Sequence, residues 1–145
     1  MSVLPRPARW LGLLGLAPQA AAVLAAHDAQ WRWSGIAAGC LYAALIFSFL
    51  GGIWWAQAMQ RRSPRWRDHL LAIAPSLIAF AAVLPWCFGW RWPGPSLVVL
   101  GLCLLASPLV DLHLRGAHTL PDGWLRLRMT LSTGLGLLTL ILAAI

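Results

Sequence analysis

Charge is scarce in this chain, and lysine is missing altogether. Only 10% of the 145 residues are charged, and the 4 acidic residues are set against 11 basic ones, all arginine. A soluble domain of this size carries about 25% charged residues. The shortage of acids leaves no pair of carboxylates within any apolar run. Acid–base chemistry of the two-carboxylate kind is therefore not expected. Nor is there a glycine-rich phosphate loop, a serine elbow or a paired-histidine helix motif. Cysteine is also sparse. Cys40, Cys87 and Cys103 lack the close paired spacing of zinc or redox motifs. They read as three buried apolar thiols, although Cys40 and Cys87 fall toward one membrane face and could pair. The net charge of +7 does not point to nucleic acid, because the arginines sit between apolar spans and build no basic face. Stretches long enough to hold a soluble domain are absent too.

What is present is hydrophobic length. Gly35 to Gln60 runs for 26 residues without a charge, longer than the ~20 a helix needs to cross a bilayer. Four further apolar runs accompany it. The chain reads as all-α, a single membrane domain of five transmembrane helices at about 10–26, 35–60, 69–88, 95–112 and 125–145. Trp10 to Ala26 follows a short basic start and could pass for a signal peptide. Pro18 and Gln19 interrupt the run and its length reaches a full span, so a retained helix is expected. Pro64 ends the second helix in an arginine-rich loop. Pro75, Pro85 and Pro108 lie within spans, where neighbouring groups can satisfy freed carbonyls.

Arginine sets the orientation. With the N-terminus inside, inner segments hold Arg6, Arg9, Arg61, Arg62, Arg65, Arg67, Arg115, Arg126 and Arg128, and outer ones only Arg32 and Arg91. This is a positive-inside pattern, with the C-terminus outside. Trp10, Trp66 and Trp124 fall at inner ends, and Trp31, Trp33, Trp86, Trp90 and Trp92 at outer ends. Interface anchoring accounts for all eight. Trp54 and Trp55 lie deeper, and about 100° of helical rotation separates them, so at most one faces a given neighbour.

Polar residues inside the spans supply the site candidates. Gln19, Ser48, Trp55, Gln57, Asp111, Arg126, Arg128 and Thr130 are the set expected to matter, with Ser107, Ser132 and Thr133 nearby in depth. Buried polar groups in hydrocarbon must meet one another or water. Asp111 is the only acid at the edge of a span besides the loop-flanking Asp68, and depth alone pairs it with Arg126 or Arg128. Gly51 and Gly52, with Gly35, Gly39 and Ala43 earlier in the helix, are expected to let helices approach closely. His69 and His113 read as interfacial side chains rather than haem ligands. No cofactor, metal or catalytic set is expected.

Leu11–Pro18, the run Tyr42–Ala56 centred on Ser48-Phe49-Leu50-Gly51-Gly52-Ile53-Trp54-Trp55, Asp111, Pro121 and Trp124–Arg128 with Thr130 together resemble the transmembrane protein 69 family, also known as domain of unknown function 3429. The resemblance covers nearly the whole chain. It implies a small polytopic inner-membrane protein and carries no settled activity. In that family a polar residue, often His, stands where this chain has Trp54, and Gly where it has Ala56. The tryptophan-rich sensory protein family shares five spans and abundant tryptophan, but its motifs do not occur here in order, and architecture alone carries no function. The sequence thus leads to a non-enzymatic membrane protein with the lipid bilayer as its solvent. Its role is expected to be that of an interaction or assembly partner of a membrane complex, with a second copy as the minor choice of partner. The alternative is a binder or carrier of a small apolar ligand, lipid or porphyrin-like, in a cytoplasm-facing polar cavity.

Overall fold

A computed structural model describes residues 4–61, 63, 65–89, 93–114 and 123–145. Arg62, Pro64, Trp90, Arg91, Trp92, Arg115 and Pro121, each assigned a part in the sequence reading, lie outside the described residues.

Among the described residues six helices form: α1 (Arg6–Leu14), α2 (Ala17–His27), α3 (Arg32–Met59), α4 (Trp66–Cys87), α5 (Gly94–Leu114) and α6 (Trp124–Ala144). α1 and α2 together make one span, so five helical segments among the described residues are long and apolar enough to cross a membrane. Each begins one to four residues ahead of its apolar run. A helix satisfies its own backbone groups, so it continues through polar residues into the interface instead of stopping where hydrocarbon does. One consequence corrects the sequence reading of Asp68. It does not merely flank the loop ahead of the span but sits in the first turn of α4 and is buried, where a carboxylate complements the positive end of the helix dipole.

The first span is broken rather than continuous. Gly15 and Leu16 close i→i+3 bonds to Gly12 and Leu13, both 3.0 Å, and α2 restarts with Pro18 in its first turn. Proline lacks an N–H for the Leu14 carbonyl and its ring crowds that oxygen. The Tyr42 hydroxyl donates to the Gly15 carbonyl at 2.5 Å, which satisfies a backbone group at the break from the neighbouring α3. Between α2 and α3, the Asp28 carboxylate accepts from the backbone N–H of Gln30 and Trp31, a side-chain-closed turn.

α3 is the central element and packs against α2, α4, α5 and α6. Its buried stripe runs Ile36, Cys40, Ala43, Phe47, Leu50, Trp54 and Ala58. In lipid there is no hydrophobic drive between helices, so close van der Waals contact decides the packing. Small residues permit it. A Cβ at Gly35 would stand 2.7 Å from the Ala22 carbonyl oxygen, and one at Gly51 would stand 2.5 Å from that of Ala72. Gly101 of α5 and Gly136 of α6 face one another in the same way, each beside the other's carbonyl oxygen. Gly52 differs from Gly51. Nothing among the described residues lies within 4 Å of its missing Cβ, because one residue of helical rotation turns it outward, so it takes no part in close packing within this bundle. The thiols also differ from expectation. All are free, Cys40 is buried and Cys103 half-buried, but Cys87 is exposed, since it falls in the last turn of α4 where the bundle no longer covers it.

Candidate polar site between α3, α5 and α6

Pro108 begins the construction of this site. Its missing N–H leaves the Leu104 carbonyl without an i+4 donor. The Ser107 hydroxyl donates to that carbonyl at 2.8 Å. A hydroxyl has one proton and two lone pairs, so Ser107 Oγ is left as an acceptor. Ser132 of α6 donates to it at 2.9 Å, and Arg128 Nη2 stands 3.5 Å away. A backbone vacancy in α5 thus becomes an oxygen aimed at α6.

Asp111 lies one turn further along α5. Its Oδ2 accepts from Arg128 Nε at 2.9 Å and Nη2 at 2.8 Å, and its Oδ1 accepts from Trp54 Nε1 at 2.7 Å. Asp111 is 3% exposed, Arg128 5% and Trp54 2%. One carboxylate therefore ties three helices, with both oxygens engaged. Charge-assisted bonds of this length are the strong ones, and an ion pair this deep requires such saturation to offset its desolvation.

A second cluster stands at the same end of the bundle. Arg61 Nη1 donates to Asp68 Oδ2 at 2.8 Å, and Nη2 to the His113 carbonyl at 2.8 Å. The His113 ring lies 3.6 Å from the other Asp68 oxygen. This cluster pins the end of α3 to the start of α4 and the end of α5. At the opposite end the Arg32 guanidinium donates to the Ile145 carbonyl.

The residues expected to share one site do not converge. Of the eight, Asp111 and Arg128 meet through their side chains, and the Thr130 hydroxyl meets the Arg126 carbonyl one turn back on the same helix. Gln19 Nε2 donates to Thr139 Oγ1 at 3.0 Å, and Thr139 lies eleven residues from Arg128, roughly 16 Å along α6 at ~1.5 Å per residue. Gln19 Oε1 has no partner among the described residues. Ser48 pairs with Ser76 of α4 at 2.9 Å. Trp55 is 41% exposed and meets the His69 ring edge-on at 4.9 Å. Gln57 is buried with its Oε1 unpartnered. Arg126 is exposed and its carbonyl takes the Thr130 hydroxyl. The inward tryptophan is Trp54, not Trp55. The signal for it was in the sequence: extending the Gly39, Ala43, Phe47, Leu50 stripe by one more helical step lands on Trp54. Among the described residues no group of three or more His, Cys, Asp or Glu side chains could hold a metal ion.

Five apolar spans among the described residues, with buried ion pairs between helices, define a polytopic membrane protein. The chain belongs to the family described as Protein of unknown function (DUF3429), which matches residues 4–144. It is similar to Transmembrane protein 69 of Xenopus tropicalis, 37% identical over 84 residues, which is 55% of this chain and 33% of that protein. The match thus takes in about a third of the relative's length. No solved structure matches the chain.

Proposed function

We propose that the protein is a non-catalytic packing element of the inner membrane, an interaction or assembly partner for a membrane complex. The observation that carries this reading is that every buried charge among the described residues, Asp68, Asp111 and Arg128, is spent on another helix of the same chain. Such pairs fix helix positions. α4 supports the docking role. It lies at the edge of the bundle, with only Asp68, Ala72, Pro75 and Ala79 buried, and it turns Leu70, Ile73, Leu77 and Phe80 outward. The test is reciprocal affinity purification in mild detergent, with Leu77→Ala and Phe80→Ala as variants. A membrane protein or second copy that is retained, and is lost from the variants, supports the reading. Recovery of the chain alone, or variants that change nothing, refutes it. The arginine-rich end is placed on the cytoplasmic side, following the positive-inside pattern.

A second reading has one observation in its favour. A roughly 280 Å³ apolar groove opens between α1, α3 and α6, walled by Gly12, Ile46, Leu50 and Leu131, with Trp124 and Arg128 also lining it. A small apolar ligand would sit here rather than among the eight polar candidates, of which only Arg128 lines the groove. Gly12→Leu would fill it. A wild type that is stabilised by a lipid or porphyrin to the same degree as Gly12→Leu would remove this reading.

A further inference from the structure

On the other side of α1 lies a separate recess of roughly 380 Å³, lined by Leu4, Arg9, Leu13, Arg126, Leu127 and Thr130, with Gly123 at its rim. Its composition is not that of a lipid-facing dimple. Two arginines from different helices line it, and no acidic residue among those described does. The remainder is mostly leucine.

The arginines are poorly placed for helix stability alone. α6 has Arg126 and Arg128 in or beside its first turn, no acidic residue there and no side-chain cap. Cations at a helix N-terminus oppose the dipole. Arg128 is compensated by Asp111. For Arg126 and Arg9 no ion pair forms among the described residues. Asp122, next to Gly123, lies outside those residues. An anion in the recess would meet both guanidinium groups. The recess also lies at the right depth. Trp10, beside Arg9, and Trp66 are 67% and 70% exposed at this end, as indole rings are at the headgroup level.

We propose that the recess between α1 and α6 binds the phosphate of an anionic phospholipid, with Arg9 and Arg126 on the headgroup and Leu13 and Leu127 against the first carbons of a chain. Bidentate guanidinium groups match phosphate oxygens, and basic pockets between spans take up such headgroups. The lipid is chosen over a free anion because leucines share the recess and because the site opens at the bilayer surface. The inference is independent of the packing role proposed above.

The test is native mass spectrometry of the full chain released from mixed micelles of phosphatidylglycerol and phosphatidylcholine. The wild type should retain phosphatidylglycerol preferentially. Arg9→Gln and Arg126→Gln should each lower that retention by about fivefold and the double variant by about twentyfold, the scale of a basic residue at an anionic surface. Arg126→Lys should keep most of it, and Asp122→Asn should not reduce it. Arg67→Gln, an exposed arginine at the same end but outside the recess, should behave as wild type. Equal retention of both lipids would overturn the proposal. So would an Arg67→Gln loss as large as that of Arg126→Gln, which would mean general surface charge. Displacement of the lipid by inorganic phosphate at matched concentration would mean a free-anion site and would overturn it as well.

Discussion

Neutralising Asp111 tests the central ion pair most directly. Asp111→Asn keeps shape but removes the charge that Arg128 Nε and Nη2 and Trp54 Nε1 all approach within 2.9 Å. Arg128 would remain in place, 5% exposed, with no counter-ion. Breaking one side of a buried pair costs about 3–5 kcal/mol. Polar contacts in bilayer proteins run weaker, near 0.6 kcal/mol on average, but that average is for ordinary hydrogen bonds and not for a stranded cation. The expectation is therefore a loss of about 3 kcal/mol or more. Arg128→Met should cost less, because Asp111 keeps the Trp54 N–H. The double variant Asp111→Asn/Arg128→Met should be more stable than Asp111→Asn alone, since neither charge is then buried. A coupling energy of about 2–3 kcal/mol is expected. The assay is denaturant unfolding in mild detergent followed by tryptophan emission. Single variants within about 0.5 kcal/mol of wild type, near the scatter that such comparisons carry, would show that the pair does not hold the three helices. A double variant as damaged as the sum of the singles would show the same.

Four further outcomes follow from the geometry. Gly51→Ala should cost about 1–3 kcal/mol, because its methyl would meet the Ala72 carbonyl at 2.5 Å, whereas Gly52→Ala, with open space around it, should be neutral or gain up to about 1 kcal/mol from helix propensity; the pair compared by thermal unfolding checks this. Tyr42→Phe should cost about 0.5–1.5 kcal/mol by removing the hydroxyl from the Gly15 carbonyl, and amide exchange should rise first around the α1–α2 break. Ser107→Ala should free the Leu104 carbonyl that Pro108 cannot serve and cost about 1–3 kcal/mol, read in the same unfolding assay. Cys87 should react with a membrane-impermeant maleimide while buried Cys40 does not, and labelling of Cys87 from the cytoplasmic face would reverse the orientation proposed here.

The helical architecture was legible because the signals were long. A 26-residue uncharged run and four apolar companions leave little choice of element. The break in the first span was half visible. Pro18 marked it, but the sequence could not show that Tyr42 would lie across it and satisfy a carbonyl. The same limit separates Asp111 from Asp68. Both are aspartates near arginines, yet depth counting assigned one to a span edge and the other to the flank of a loop. Asp68 is buried because α4 begins in polar residues, ahead of its apolar run, and a hydropathy pattern does not register that start.

Rotation, more than depth, limited the reading of the site. Depth is a one-dimensional quantity, and by depth Ser48, Trp55, Gln57, Arg126 and Thr130 all stood near Asp111. Around a helix axis they point elsewhere: Trp55 toward His69, Ser48 toward Ser76, Thr130 onto the Arg126 carbonyl one turn back. The neighbouring Trp54 takes the inward place because it continues the stripe of small and apolar residues that carries α3 through the bundle. In that position its indole N–H reaches a carboxylate. The family resemblance puts a polar residue, often histidine, at this place. A histidine N–H at this place could serve Asp111 in the same manner, whereas tryptophan supplies a donor and adds apolar surface to the core. On this argument Trp54→His should hold the carboxylate better than Trp54→Phe, which has the bulk but no N–H. If the phenylalanine variant proved the more stable of the two, the bond to Asp111 would not be what the position is for.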